Sequence, residues 1–217
     1  MNPHLFVPAF FAAVLSFIFL VLVGLWNYRY GHKAKFSFGN GFPFELYTDA
    51  HLWFSGYVKI LIVLSSLSFI VFGFGGFAFP NLVSAVIVMT GYTLSSLAMM
   101  SLFITDMRYA KLHVFLASAF FVMTALTAAS VSYFAFTTPY DIFHPALAYV
   151  AAGLALFDVA IAVNPRLNHW EKLEAVAQKD GTVAFERPRH FVLPLSEWFT
   201  MAVFVLLTIA IFVFWLL

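Results

Sequence analysis

The chain has 217 residues, 63% of them hydrophobic and 10% charged, with a formal net charge of +1. A soluble domain carries about 25% charged residues, so no water-soluble fold of this length can hide so much apolar surface, and lipid must be the solvent for most of it. The near-neutral balance removes the electrostatic case for a nucleic-acid partner, and the absence of cysteine excludes disulfides, thiolate metal sites and iron–sulfur clusters.

The first apolar run, Leu5 to Trp26, has no basic segment before it. Its core is too long for a signal peptide and no small-x-small cleavage site follows, so it reads as a retained membrane span. Five further runs approach the roughly 20 apolar residues a helix needs to cross the hydrocarbon core. The six predicted spans are 6–27, 52–78, 81–104, 111–136, 144–164 and 195–217. The runs are too long and continuous for barrel strands, and backbone groups in lipid must be paired within the segment. The predicted fold is therefore an all-α integral membrane protein, a bundle of six transmembrane helices with short loops, forming one domain over residues 1–217 without internal repeats. Pro80, Pro139, Pro145, Pro165 and Pro194 fall at or just outside span ends, where a missing N–H costs least. Gly73, Gly75, Gly76 and Pro80 mark a tight turn between the second and third spans.

The last loop has a pattern of its own. Asn168 and Glu171 have capping-box spacing, and Leu167, Trp170, Leu173 and Val176 then share one helical side, which predicts a short interfacial helix. Lys179-Asp180-Gly181 signals a turn, and 182–191 is expected to return as an extended strap.

Basic residues separate sharply. Arg29, Lys33 and Lys35 lie in the first loop, Arg108 and Lys111 in the third, and Arg166, Lys172, Lys179, Arg187 and Arg189 in the fifth; only Lys59 lies inside a span. The positive-inside rule puts these loops in the cytoplasm and both termini on the other side.

The ionisable residues nearest the apolar runs gather on the same face. Glu45, Asp49 and His51 precede the second span, Asp106 and His113 flank the junction of the third and fourth, and Glu197 opens the sixth. Asp158 lies in the fifth span, roughly 9 Å from its end on that face at 1.5 Å per residue. Charge at that depth must be paired, neutralised or functional. The expected site is a one-sided polar pocket. His113 and Asp158 would be bases or metal ligands there, Glu197 would orient His113, and Asp106 would assist. Such a set suits a divalent ion that activates water toward an ester, or a lipid head group without any metal. His144, with Asp141 as a helix cap, belongs to the opposite face. A b-type haem needs axial ligands at matched depth; His51 and His113 are the one pair that could match, and both are shallow. No Walker loop, HExxH or GxSxG occurs, so the motifs name no metal and no cofactor.

Four features follow the order seen in the FRAG/DRAM/SFK family of six-helix eukaryotic membrane proteins. They are Phe42-Pro43-Phe44 leading into Glu45-Leu46-Tyr47-Thr48-Asp49; Phe103 with Asp106; His113, Ala117, Phe120 and Phe121; and Glu197-Trp198. The chain resembles that family over almost its whole length. It differs in carrying Glu45-Leu46 where the family has Ser-Asp, with Asp49 displaced. The resemblance implies a lipid-associated role, as in remodelling of glycosylphosphatidylinositol lipid, autophagy at lysosomes or control of phosphoinositides and lipid asymmetry. It also implies cytosolic termini, the reverse of the charge count.

Two functions follow. One is lipid remodelling or metal-dependent lipid hydrolysis at the polar pocket, with Glu45, Asp49, His51 and Trp198 holding the lipid. The other is a non-catalytic subunit of a larger membrane complex. A transporter ranks third, because broken helices and paired repeats are missing.

Overall fold

The computed structural model describes residues 3–47, 52–74, 82–137, 144–169, 174–177, 183–188 and 190–217. Six helices account for most of them: α1 (Pro3–His32), α2 (Leu52–Phe74), α3 (Leu82–Ile104), α4 (Ala110–Thr137), α5 (Ala146–Ala162) and α6 (Val192–Leu216). All six are long and apolar enough to cross a membrane. They are hydrophobic nearly all round rather than along one stripe, as expected where the surroundings are themselves apolar. Gly73 of the predicted turn falls within α2, while Gly75, Gly76 and Pro80, and also Asp141, lie outside the described residues.

Consecutive helices pack as neighbours, and α6 closes the bundle against α1, α4 and α5. Part of the phenylalanine content fills this interior. Phe10 stacks on Phe212 with centroids 3.8 Å apart, Phe6 stacks on Phe72 at 4.9 Å, and Phe204 meets Phe69 and Tyr92 at 5.0 and 5.1 Å. Others face outward, including Phe11, Phe19, Phe115 and Phe136.

Helices packed in an apolar medium gain little hydrophobic drive, and close backbone approach and interhelical hydrogen bonds take its place. Gly91 on α3 sits so near Thr127 of α4 that an added Cβ would collide with the Thr127 hydroxyl. Hydroxyl pairs then bridge helices: Ser66 and Ser96 at 3.2 Å, Tyr92 and Thr208 at 3.2 Å, and Ser95 and Thr127 at 3.4 Å.

The described connecting elements lie at one end of the bundle. A 3₁₀ turn, η1 (Pro43–Leu46), follows α1, and a second, η2 (Met107–Tyr109), joins α3 to α4. A third, η3 (Pro165–His169), follows α5. Of the predicted interfacial helix, Leu167 and Asn168 fall in η3 and Val176 in a strand, while Trp170, Glu171 and Leu173 lie outside the described residues. Beyond η3, Glu174–Ala177 is a strand, β1, paired antiparallel with β2 (Val183–Glu186), Glu174 opposite Glu186 and Ala177 opposite Val183. Residues 174–177 are strand because 183–186 offers a second β-compatible segment to pair with. The extended return at 183–186 agrees with the sequence; the Lys179-Asp180-Gly181 turn lies outside the described residues.

At the opposite end the His144 N–H donates to the Phe214 carbonyl at 3.1 Å, and the His144 ring stacks on Phe214. Its Nδ1 accepts from the Ala146 N–H at 3.3 Å, so His144 opens α5 and stands apart from the polar cluster.

Candidate functional site

The loop-rich end is tied together by η1. Pro43 presets the backbone at the first position of the turn, and the Glu45 carboxylate accepts from the Phe42 N–H at 3.2 Å. The Tyr47 hydroxyl donates to the Leu20 carbonyl, and Asn27 Nδ2 donates to the Leu46 carbonyl at 2.9 Å, so both residues fasten η1 to α1. Burial raises the Tyr47 pKa well above the usual phenol range, so the hydroxyl keeps the proton it donates. On the α6 side, the Phe191 N–H donates to the Gly39 carbonyl at 2.7 Å and Trp198 Nε1 to the Gly41 carbonyl at 2.9 Å.

Beneath η1 lies a fully buried pair. His113, in the first turn of α4, and Glu197, in the second turn of α6, are 2.9 Å apart between Nε2 and Oε1, and neither side chain has exposed surface. The other ring nitrogen, Nδ1, is 2.6 Å from the Thr105 carbonyl at the end of α3. A carbonyl only accepts, so Nδ1 carries a proton. One further proton then lies between Nε2 and Oε1, held by imidazolium beside carboxylate or by neutral imidazole beside carboxylic acid. Phe42 and Phe44 close over the ring edge-on, with centroids 5.3 and 5.5 Å away.

Asp158 stands separately. Its Oδ1 accepts from the Thr200 hydroxyl at 2.6 Å, one α6 turn beyond Glu197, and its buried Oδ2 has no protein partner among the described residues.

Above η1 opens a pocket of about 650 Å³ lined by Tyr28, His32, Phe44, Glu45, Asp106, Met107, Arg108 and Arg187. Two ion pairs stand in its wall. Asp106 caps η2, accepting from the Arg108 N–H at 2.8 Å, and also binds the Arg108 guanidinium at 2.5 Å. That guanidinium holds the Asp106 carboxyl below the ordinary carboxylate range. Arg187, just past β2, pairs with Glu45 and lies 5.3 Å over the Phe42 ring. The Arg108 and Arg187 side chains are 85% and 39% exposed, while each partner carboxylate is only 19% exposed, so cations project and anions recede.

The expected single pocket is thus three groups. Glu45 and Asp106 line the open cavity, His113 and Glu197 pair below it, and Asp158 joins Thr200. Glu197 does hold His113, as expected. Trp198 ties the first loop to α6 and packs on Phe38 and Phe103, outside the lining of the cavity. Asp49 and His51 lie outside the described residues, and with His51 the haem pairing. Among the described residues no three His, Asp or Glu side chains are grouped so as to hold a metal ion.

Sequence reasoning passed over Arg108, Arg187, Thr105 and Thr200 as site residues. Thr200 was findable, three residues from Glu197 on one α6 face. The Thr105 carbonyl, being backbone, leaves no trace in residue type.

Fold and site together define a six-helix apolar bundle with a charge-lined cavity at one end and a sealed histidine–glutamate pair beneath it. Comparison with family models, with curated proteins and with solved structures found no match to this chain.

Proposed function

We propose that this is a polytopic membrane protein whose cavity at the loop-rich end binds the head group of a membrane lipid. The supporting observation is the lining of that cavity: two guanidinium groups and two carboxylates interleaved with Tyr28, His32, Phe44 and Met107. Projecting arginines suit a phosphate, because each guanidinium has five donors and its own carboxylate takes only some of them. The apolar lining suits the adjoining glycerol and upper acyl chain. A lipid role is also what the resemblance to the FRAG/DRAM/SFK family implies.

Binding is favoured over hydrolysis or acyl remodelling. His113 is sealed under Phe42 and Phe44 with both nitrogens engaged, so it offers no lone pair to a substrate or an ion without giving up a partner. The test is lipid retained by the full-length protein after exchange into delipidated detergent, measured by native mass spectrometry. The wild type should carry bound phospholipid that an Arg108→Ala/Arg187→Ala variant of unchanged helicity loses. Equal retention by both would overturn the reading.

A second reading, a subunit of a larger membrane complex, draws on a different surface. A groove of about 500 Å³ between α4 and α5 is floored by Ala129, Ala148, Ala152 and Ala155 and flanked by Tyr133 and Tyr149. Small residues at such a place let a neighbouring helix approach closely. Crosslinking from Tyr149→p-benzoylphenylalanine in native membranes should capture a protein under this reading and only lipid under the first.

A further inference from the structure

The charge balance of the cavity narrows the ligand class beyond a lipid in general. Among the described residues its wall carries two guanidinium cations, Arg108 and Arg187, two carboxylates, Asp106 and Glu45, and the imidazole of His32. A site selecting anionic lipid by charge would leave its cations in excess. Here each cation has its own anion, so the carboxylates cancel the long-range attraction for net negative charge. The two signs also differ in exposure: in each pair the arginine side chain is the more exposed partner and the carboxylate the less exposed one. The aromatic side chains of Tyr28 and Phe44 lie in the same lining. A less exposed carboxylate with aromatic neighbours is a setting for an ammonium group, through charge and the ring quadrupole.

We propose that the cavity recognises a zwitterionic phosphate–ammonium head group, the phosphate taken by Arg108 and Arg187 and the ammonium by Glu45 and Asp106. The inference rests on the lipid-binding reading above and specifies which lipids that site takes. Phosphatidylethanolamine and phosphatidylcholine carry this pair of charges, whereas phosphatidylglycerol has the phosphate alone. A phosphatidylglycerol bound here would leave the carboxylates with no cation from the ligand and gain nothing from them.

The experiment is competition between lipids on the full-length protein in nanodiscs of defined composition, read as the enrichment of each lipid retained on extraction. Wild type should enrich phosphatidylethanolamine over phosphatidylglycerol by about tenfold, which corresponds to ~1.4 kcal/mol. Glu45→Gln and Asp106→Asn each leave one cation in excess and should move the preference toward phosphatidylglycerol. Asp106 sits on the exposed η2 turn, so its variant reports even if Glu45→Gln loosens η1. Preference for phosphatidylglycerol in the wild type, or an unchanged ratio in both variants, overturns the zwitterion assignment while leaving lipid binding intact. No enrichment of any lipid, or binding of free glycerophosphoethanolamine as tight as that of the lipid, overturns the lipid reading itself.

Discussion

His113 shows how much one residue can bind together. Its ring joins the end of α3, through the Thr105 carbonyl, to α6, through Glu197. Removing one partner of a fully buried pair strands the other, which costs roughly 3–5 kcal/mol. Glu197→Ala should therefore lower thermal stability in detergent sharply, and His113→Leu/Glu197→Leu should recover part of the loss because no ionisable group is left stranded, the Thr105 carbonyl alone losing its donor; strict additivity of the single variants would contradict the pairing. Lys33 is a smaller case. It follows α1 with φ 52°, in the left-handed region that glycine adopts without penalty. Lys33→Gly should stabilise the end of α1 by up to about 1 kcal/mol, after its own entropy cost, as a rise in unfolding temperature. Asp106 supplies the pH-dependent term. Its folded carboxyl is held below the ordinary range by the Arg108 side chain. A depressed carboxyl stabilises the fold above its unfolded pKa, and the contribution is lost as pH falls through the folded value. The carboxyl-carbon NMR titration of Asp106 should have its midpoint below that of an unfolded peptide, and Arg108→Ala should raise it.

Among elements, the contact of α3 with α4 is decided by a missing side chain. Gly91 faces Thr127, and Thr127 in turn bonds Ser95 and the Met123 carbonyl. An added methyl overpacks a fixed neighbour, which costs about 1–3 kcal/mol. Gly91→Ala should lower the unfolding temperature accordingly, with Thr127→Ala restoring part of it. The six long helices were legible because a run of about 20 apolar residues leaves the backbone no other way to pair in lipid. The hairpin of 174–177 with 183–186 was not, because the choice between a helix and a strand there depends on the segment across the ladder. A capping signal at Asn168 and Glu171 reports only on its own turn.

For the whole molecule, the basic loops and the polar groups lie at the same end as η1, η2 and η3, while His144 and the end of α6 mark the other. The charge bias predicts a cytoplasmic loop-rich end, whereas the family resemblance would imply the reverse. The chain has no cysteine, so a single introduced thiol reports cleanly. An impermeant maleimide applied to intact cells should label Thr137→Cys and spare Lys35→Cys; the opposite pattern would mean that loop charge does not orient this protein.

The candidate site was partly legible. The costly residues, His113, Glu197 and Asp158, stood out because ionisable groups beside long apolar runs are rare. Their grouping was not. Glu197 turned to His113, Asp158 turned to Thr200, and Glu45 and Asp106 opened onto a cavity completed by two arginines from loops far apart in the chain.

Residue types alone determined that this chain makes six apolar helices with its polar groups toward one end, because apolar length and the need to pair every backbone group are local properties. Only the tertiary structure decided which charged groups meet. The direction of a side chain at a helix end depends on where α3, η1, the return from β2 and α6 come to rest against one another, and no window along the sequence contains all four.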